Sequence, residues 1–200
     1  MKEERVQQQL VLASSNPGKL REYQVLVTGH ALELQLLTGF SQLPQFEENA
    51  PTFAENAAGK ALYYSKHCLQ RVFADDSGLV VPALGGAPGV LSARYAGLGA
   101  SSELRNAKLL AELRGKQGGD RAAYFVCVIA VARQGRCELV VSGKVDGEIL
   151  DEPRGVGGFG YDPVFFFPPM GKAYAELNAE EKNRHSHRGK AFRRLLEVLE

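Results

Sequence analysis

LVLASSNPGKLREYQVLV, residues 10–27, decides the fold class. Residues 10–13 form a short apolar run, which Ser14-Ser15-Asn16-Pro17-Gly18 breaks with turn formers, and the spacing predicts a helix over 19–27. A strand that enters a turn and then a helix is the opening unit of an α/β protein. Ligands in such folds bind at the loops beyond strand ends. The turn also offers backbone amides and the positive end of a helix dipole, to which Lys19 adds a charge, and that combination suits phosphate. The Walker spacing G-x-x-x-x-G-K-[ST] is absent, however, and the same residues equally describe a plain turn before a capped helix.

Outward from this unit the chain keeps alternating. A second strand is predicted over 32–37. Thr52 and Glu55 form a Thr-x-x-Glu capping box, and Phe53, Ala57, Ala61 and Tyr64 recur at helical spacing, predicting a helix to about residue 66. Residues 72–74 read as a short strand delivering Asp75, Asp76 and Ser77 at its C-terminal end, and 101–114 as a helix. Residues 124–132 and 138–145 are rich in β-branched and aromatic residues, and Gln134-Gly135 between them predicts a long hairpin. An amphipathic helix with Phe192, Leu195, Leu196 and Leu199 on one face closes the chain. The reading is an α/β protein with a mixed sheet.

Composition bounds the function. At 200 residues with 44% apolar and 24% charged residues, the chain can bury one core, or two lobes sharing one, and is not a disordered sequence. A net charge of +1 provides no global field to recruit nucleic acid or an anionic membrane. Locally, acids gather at Glu47, Glu48, Glu55, Asp75 and Asp76, and bases at Lys182, Arg184, Arg188, Lys190, Arg193 and Arg194. Such groups are either solvated faces or, brought together, a holder for a metal and a polyphosphate. Cys68, Cys127 and Cys137 show neither CxxC pairing nor metal-ligand spacing, which suits reduced, packed thiols. The first residues lack the apolar stretch of a signal peptide, and the longest apolar run, 122–132, is too short to span a membrane. A cytoplasmic protein is expected.

Several segments carry possible chemistry. In Ala74-Asp75-Asp76-Ser77-Gly78-Leu79, a carboxylate at a strand end can ligate Mg²⁺ or take a proton from water. An Asx-type turn before Gly78 explains the same residues, and period-two geometry admits one Asp of the pair to any one site. Glu47 and Glu48 sit in a loop, better placed to reach a metal than Glu55 in its capping box. Residues 155–160 satisfy G-x-G-x-x-G, but Tyr161-Asp162-Pro163 and then Phe165-Phe166-Phe167-Pro168-Pro169 cannot open the helix that a dinucleotide fingerprint requires. A loop closing on a flat base and a glycine-rich turn burying Phe159 and Tyr161 both fit. In residues 182–190, Ser186 can cap the last helix, while His187 and Arg188 offer donors to a base carbonyl or a phosphate. The spacing does not support zinc there.

In their order along the chain, SSNPGK at 14–19, TFAENAAGKA at 52–61, ADDSGL at 74–79, GGAPGVLSARYAG at 85–97, GGFGYDPVF at 157–165 and SHRGKA at 186–191 closely resemble the inosine/xanthosine triphosphate pyrophosphatase family. The resemblance runs from Leu10 to the C-terminus. It implies an N-terminal extension over 1–9 and a single catalytic domain over 10–200, with an elongated two-lobed fold around a mixed central sheet and nucleotide in the cleft. The implied activity is Mg²⁺-dependent hydrolysis of ITP, dITP, XTP or dXTP to monophosphate and pyrophosphate, keeping these purine nucleotides out of DNA and RNA. A cytoplasmic homodimer is implied, with no nucleic-acid or membrane partner. Residue by residue, the resemblance gives Ser14, Ser15, Asn16, Pro17, Gly18 and Lys19 to the triphosphate, with Asn16 and Lys19 contacting it directly. Asp76 becomes proton acceptor and metal ligand, and Ser77 a substrate contact. Phe159, Gly160, Tyr161 and Asp162 line the base pocket, and Lys182, His187 and Arg188 touch base or phosphate. The family often carries a Glu-Glu-Thr-Gly loop where this chain has Glu47-Glu48-Asn49-Ala50-Pro51, so both Glu47 and Glu48 stand as metal candidates. Competing readings are a pyrophosphatase for modified pyrimidine nucleotides, a nucleotide sensor without turnover, and a nucleic-acid module using the basic C-terminal segment.

Overall fold

In the computed structural model, residues 8–199 are described. Seven strands form one mixed sheet in the order β2-β1-β3-β4-β5-β6-β7. These are β1 (Gln8–Leu12), β2 (Leu32–Leu36), β3 (Arg71–Val80), β4 (Ala122–Arg133), β5 (Arg136–Ile149), β6 (Phe165–Phe167) and β7 (Lys172–Ala173). The helices are α1 (Pro17–Leu26), α2 (Phe53–Tyr64), α3 (Ser102–Glu112), α4 (Ala179–His185) and α5 (His187–Leu199). Strand β1 runs parallel to both β2 and β3, whereas β5 with β6 and β6 with β7 are antiparallel. The expected α/β class with a mixed sheet is therefore the observed one.

The described residues fall into two compact units. The first comprises the described part of Met1–Asp76, Val128–Val141 and the described part of Arg194–Glu200; the second comprises Ser77–Cys127 and Ser142–Arg193. Of the expected N-terminal extension, residues 1–7 lie outside the described residues, while Gln8 and Gln9 belong to β1 and pair with Leu32 and Glu33.

The sequence signals for helix starts act as capping chemistry requires. Asn16, Thr52, Ser101 and Asn178 each cap a helix through a side-chain oxygen. Pro17 occupies the first helical position, where its missing N–H costs nothing, so α1 begins two residues before the predicted start. At Thr52 the box is modified. Its Oγ accepts from the Glu55 amide, and its hydroxyl donates to the Glu55 carboxylate at 2.7 Å. The hairpin turn is Gln134-Gly135, with φ of 49° and 76°, the left-handed pair that matches strand twist.

Two expectations fail informatively. The strand predicted over 72–74 is the ten-residue β3, so Asp75, Asp76 and Ser77 lie inside a strand and not at its end. Their low strand propensity is overridden by burial and by polar partners supplied from α1 and α2. The basic segment 182–190 does not simply lead into one helix either. An Asn178–Glu181 capping box opens α4, which ends at Ser186, whose Oγ then accepts from the Gly189 amide to start α5.

In the first unit Tyr23 meets Phe73 edge to face at 5.0 Å, fixing α1 on the sheet. The core of the second unit gathers Leu79, Leu109, Phe125, Ile149, Phe165 and Tyr174. There α5 lies so close to β5 that a Cβ at Gly143 would come within 2.2 Å of the His187 carbonyl oxygen. Arg121 fastens the unit: its buried guanidinium donates to the carbonyls of Ile149 (2.6 Å), Leu113 (3.1 Å) and Leu150, joining the end of α3 to the end of β5. Truncating it strands those carbonyls. We expect Arg121→Ala to cost about 2–4 kcal/mol in a urea titration, read as a lower midpoint at unchanged slope.

Candidate functional site

The polar residues of the first unit converge on β3. Asp75 (0% exposed) and Asp76 (6% exposed) are adjacent in an extended strand and so point to opposite faces. Asp75 is ion-paired with Lys19 of α1 at 2.9 Å. Asp76 accepts from Asn56 of α2 at 3.0 Å. The buried Asn56 amide also holds the preceding loop, accepting from the Ala50 amide at 2.9 Å and donating to the Ala50 carbonyl at 3.3 Å. One helical turn on, Lys60 pairs with Glu48 at 2.5 Å. Burial works against the Lys60 charge, yet Glu48, Asp75 and then Asp76 outweigh it and raise its pKa.

Asp76 is the perturbed acid. Burial first, and then the Glu48 carboxylate, push its pKa up to about 6, against the opposing pull of Lys19 and the Asn56 hydrogen bond. A carboxyl titrating there is poised to exchange protons near neutrality. Glu48 and Glu47 part company. Glu48 is half-buried and coupled to Asp76, while Glu47 is exposed and takes a hydrogen bond from Asn49 at 2.9 Å.

No group of three or more His, Cys, Asp and Glu is gathered as a metal cage among the described residues. The donor set is instead two oxygen-bearing groups, Glu48 and Asp76, that repel each other in a desolvated setting. Mg²⁺ is bound through one or two carboxylates plus waters and substrate phosphates, so this set fits it.

The loop at 14–19 is built around its cap. The Asn16 side chain accepts from the amides of Gly18 (2.9 Å) and Lys19 (3.2 Å), and Ser14 Oγ accepts from the Asn16 amide at 3.2 Å. Ser15 and Pro17 are exposed and Gly18 is buried.

In the second unit a separate network surrounds Phe159. The buried Asp162 carboxylate accepts from the Phe159 amide at 2.7 Å and from Lys182 at 2.5 Å. Lys182 Nζ also stands 4.7 Å from the centre of the half-buried Phe159 ring, and the Arg188 guanidinium 5.7 Å from it. Arg188 in turn donates to Ser77 Oγ at 2.8 Å. Gly158 is required by this fold of the loop. Its φ is +70°, and a Cβ would lie 2.1 Å from the Asp162 carboxylate. Tyr161 is buried in the core with its hydroxyl donating to the Ser92 carbonyl at 2.9 Å, and His187 stacks on Phe125 at 4.7 Å. Thus Phe159, Lys182, Arg188 and Ser77 form one connected set, while Tyr161 and His187 pack inward. The G-x-G-x-x-G segment opens no helix; β6 follows it.

The residues that sequence reading missed are Asn56, Lys60 and Asp75's pairing with Lys19. The i, i+4 spacing of Asn56 and Lys60 on the face that buries Ala57 and Ala61 is a signal, since polar groups on a buried helix face need partners.

A family model for the Ham1 family matches residues 10–198, across both units. The chain belongs to the Ham1 family. It is 50% identical over 192 residues to the dITP/XTP pyrophosphatase of Geobacillus kaustophilus, covering 96% of this chain and 94% of the relative. Among solved structures, a HAM1 protein from Coxiella burnetii superposes with a TM-score of 0.86 at 44% identity, covering 96% of this chain and 98% of that one. The Ham1 protein of Staphylococcus aureus gives a TM-score of 0.84 at 40% identity, with coverage of 96% and 98%.

The acid cluster sets a pH-dependent stability. The folded-state pKa of Asp76 is raised from 3.8 to about 6, so its contribution is fully present below pH 4 and lost as pH rises through about 6. Asp76→Asn removes that loss. In EDTA we expect the variant to be more stable than the parent at pH 8, by roughly 2–3 kcal/mol, and no more stable at pH 4. Thermal melts at the two pH values check this.

Proposed function

We propose that this protein hydrolyses the triphosphates of non-standard purines, ITP, dITP, XTP or dXTP, to nucleoside monophosphate and pyrophosphate. The observation that carries the reading is the buried cluster of Lys19, Glu48, Lys60, Asp75 and Asp76. It lies on a chain half identical, over nearly its whole length, to a protein named for dITP/XTP pyrophosphatase activity. A sensor without turnover needs no acid poised near neutrality, so the cluster favours an enzyme. Both units are proposed to serve one catalytic domain, since a single family model runs through them.

In the proposed mechanism Asp76 positions and deprotonates the attacking water. Lys19 and Lys60 balance negative charge on the phosphates and on the leaving pyrophosphate. Asn56 holds the Asp76 carboxylate in place from the side of α2. Mg²⁺, held by Asp76 and Glu48, would supply charge neutralisation of phosphate oxygens. Glu48 is favoured over Glu47 by its coupling to Asp76. The loop at 14–19 is proposed to take the triphosphate chiefly through Lys19 and Ser15, because Asn16 already caps α1.

The base is assigned to the second unit. Phe159 offers an aromatic face, and Arg188 and Lys182 offer donors suited to a 6-keto oxygen, with the Gly160, Tyr161 and Asp162 backbone shaping the loop. Adenine would present its 6-amino donors to these donors, a mismatch able to reject it by roughly 10⁴-fold. Ser77 and His187 are proposed to act by holding Arg188 and the start of α5. Among the described residues no helix is long and apolar enough to cross a membrane. A cytoplasmic homodimer without nucleic-acid partners remains the expectation from family resemblance.

Pyrophosphate release with Mg²⁺ from ITP, XTP and dITP, compared with ATP, GTP and CTP, tests the reading. Rapid turnover of the first three alone is expected, and turnover of none of them would sink it. EDTA should abolish the activity. Glu48→Gln should lower kcat/KM at least tenfold more than Glu47→Gln, read across a magnesium titration.

A further inference from the structure

We infer that Asn106 is a positioning residue for Phe159, acting through the Gly160 carbonyl; the inference rests on the assignment of the 158–162 loop to the purine. Asn106 lies on α3, is 5% exposed, and donates through Nδ2 to the Gly160 carbonyl oxygen at 3.2 Å. A carbonyl can only accept, so the amide nitrogen must face it. The Oδ1 atom on the other side is buried and has no hydrogen-bond partner among the described residues. A buried acceptor left without a donor is destabilising, so a role in packing alone would be better met by an apolar side chain of the same shape. What this amide achieves in return is its hold on one carbonyl of one loop.

That loop needs an external hold. Phe159 is flanked by Gly158 and Gly160, both at positive φ, +70° and +65°. Neither glycine carries a side chain that could pack the chain into one conformation, and both have the widest backbone freedom. The ring is therefore placed by its tethers. On the N-terminal side the Phe159 amide is bound by Asp162, itself pinned by Lys182. On the C-terminal side Asn106 binds the Gly160 carbonyl, and the Tyr161 hydroxyl reaches the Ser92 carbonyl. Ser92 is anchored in its turn, its Oγ accepting from the Leu79 amide at 2.9 Å and donating to the Gly89 carbonyl at 2.7 Å. Without Asn106 the Gly160 carbonyl loses its side-chain donor, the turn keeps the 3.3 Å bond from the Asp162 amide to the Phe159 carbonyl across it, and Phe159 is held less firmly beside Lys182 and Arg188. The consequence falls on base binding and leaves phosphate chemistry alone.

The test compares the parent with Asn106→Leu, which is nearly isosteric but donates nothing, and with Asn106→Asp, which keeps the shape and polarity but presents an acceptor to Gly160. KM and kcat are measured for ITP and ATP, together with inhibition by inorganic tripolyphosphate, which has no base. We expect KM for ITP to rise about tenfold, kcat to stay within about twofold, and the preference for ITP over ATP to fall, with tripolyphosphate inhibition unchanged. Should the leucine variant fail to fold, the aspartate variant carries the same expectation. An unchanged KM in a folded variant overturns the role of Asn106. So does a parallel weakening of ITP and tripolyphosphate, which marks a general structural defect. Absence of ITP and XTP turnover by the parent overturns the assigned function and this inference with it, whereas parental turnover with unaltered variants removes the inference alone.

Discussion

Two neighbouring carboxylates buried in the middle of a strand set the terms for the rest of the first unit. Burying an ionised carboxylate is costly unless it is paired and hydrogen-bonded, and extended geometry sends Asp75 and Asp76 to opposite faces, so one partner cannot serve both. The chain therefore brings Lys19 from α1 to Asp75 and Asn56 from α2 to Asp76. The caps at Asn16 and Thr52, which fix where those two helices begin, also fix where Lys19 and Asn56 stand along β3. The compensation is deliberately unequal. Asp75 receives a full counter-charge, whereas Asp76 receives a neutral amide and a repelling neighbour in Glu48, and its pKa stays raised.

The second unit uses buried polarity to a different end. Asp162 and Lys182 form a buried pair at 2.5 Å, and the carboxylate is further bound by the Phe159 amide at 2.7 Å. A pair of this kind contributes little net stability compared with apolar packing, but it fixes geometry. Here the geometry fixed is that of a glycine-flanked aromatic ring. One unit holds an acid whose pKa is raised by burial and Glu48; the other holds its loop with a buried ion pair.

Much of this was legible in the chain. The Thr52–Glu55 box named the start of α2, Gln134-Gly135 named the hairpin, and alternation of strand and helix named the class, because these depend on contacts within a few residues. What was illegible depended on distant partners. Asp-Asp-Ser-Gly reads as the end of a strand until Lys19 and Asn56 are known to meet it, and so β3 is ten residues long where three were expected. Asn178 and Glu181 form a capping box, but α4 is only seven residues long and runs directly into the basic segment before α5, so periodicity does not separate the two helices. Of the candidate site, Asp76, Lys19, Phe159, Lys182 and Arg188 were named from resemblance. Most pairings that give them their chemistry, Asp76 with Asn56, Lys19 with Asp75, Lys182 with Asp162 and Arg188 with Ser77, lie 20 to 111 residues apart and had no local signal.

If the acid cluster serves a polyphosphate as proposed, its charge count is informative, because it contains more acids than bases. Glu48, Asp75 and Asp76 carry three negative charges when ionised, and Lys19 and Lys60 two positive ones, leaving a net charge of −1. Alone, such a cluster would repel a triphosphate. With a divalent cation its charge would become +1, so on the proposed function cation and nucleotide would favour one another. Lys19 neutralises Asp75 and Lys60 pairs with Glu48, so on the proposed function a cation would draw on Glu48 and Asp76 without a closed cage of carboxylates. On the proposed function, this balance of acids and bases would make binding of the two partners mutually dependent.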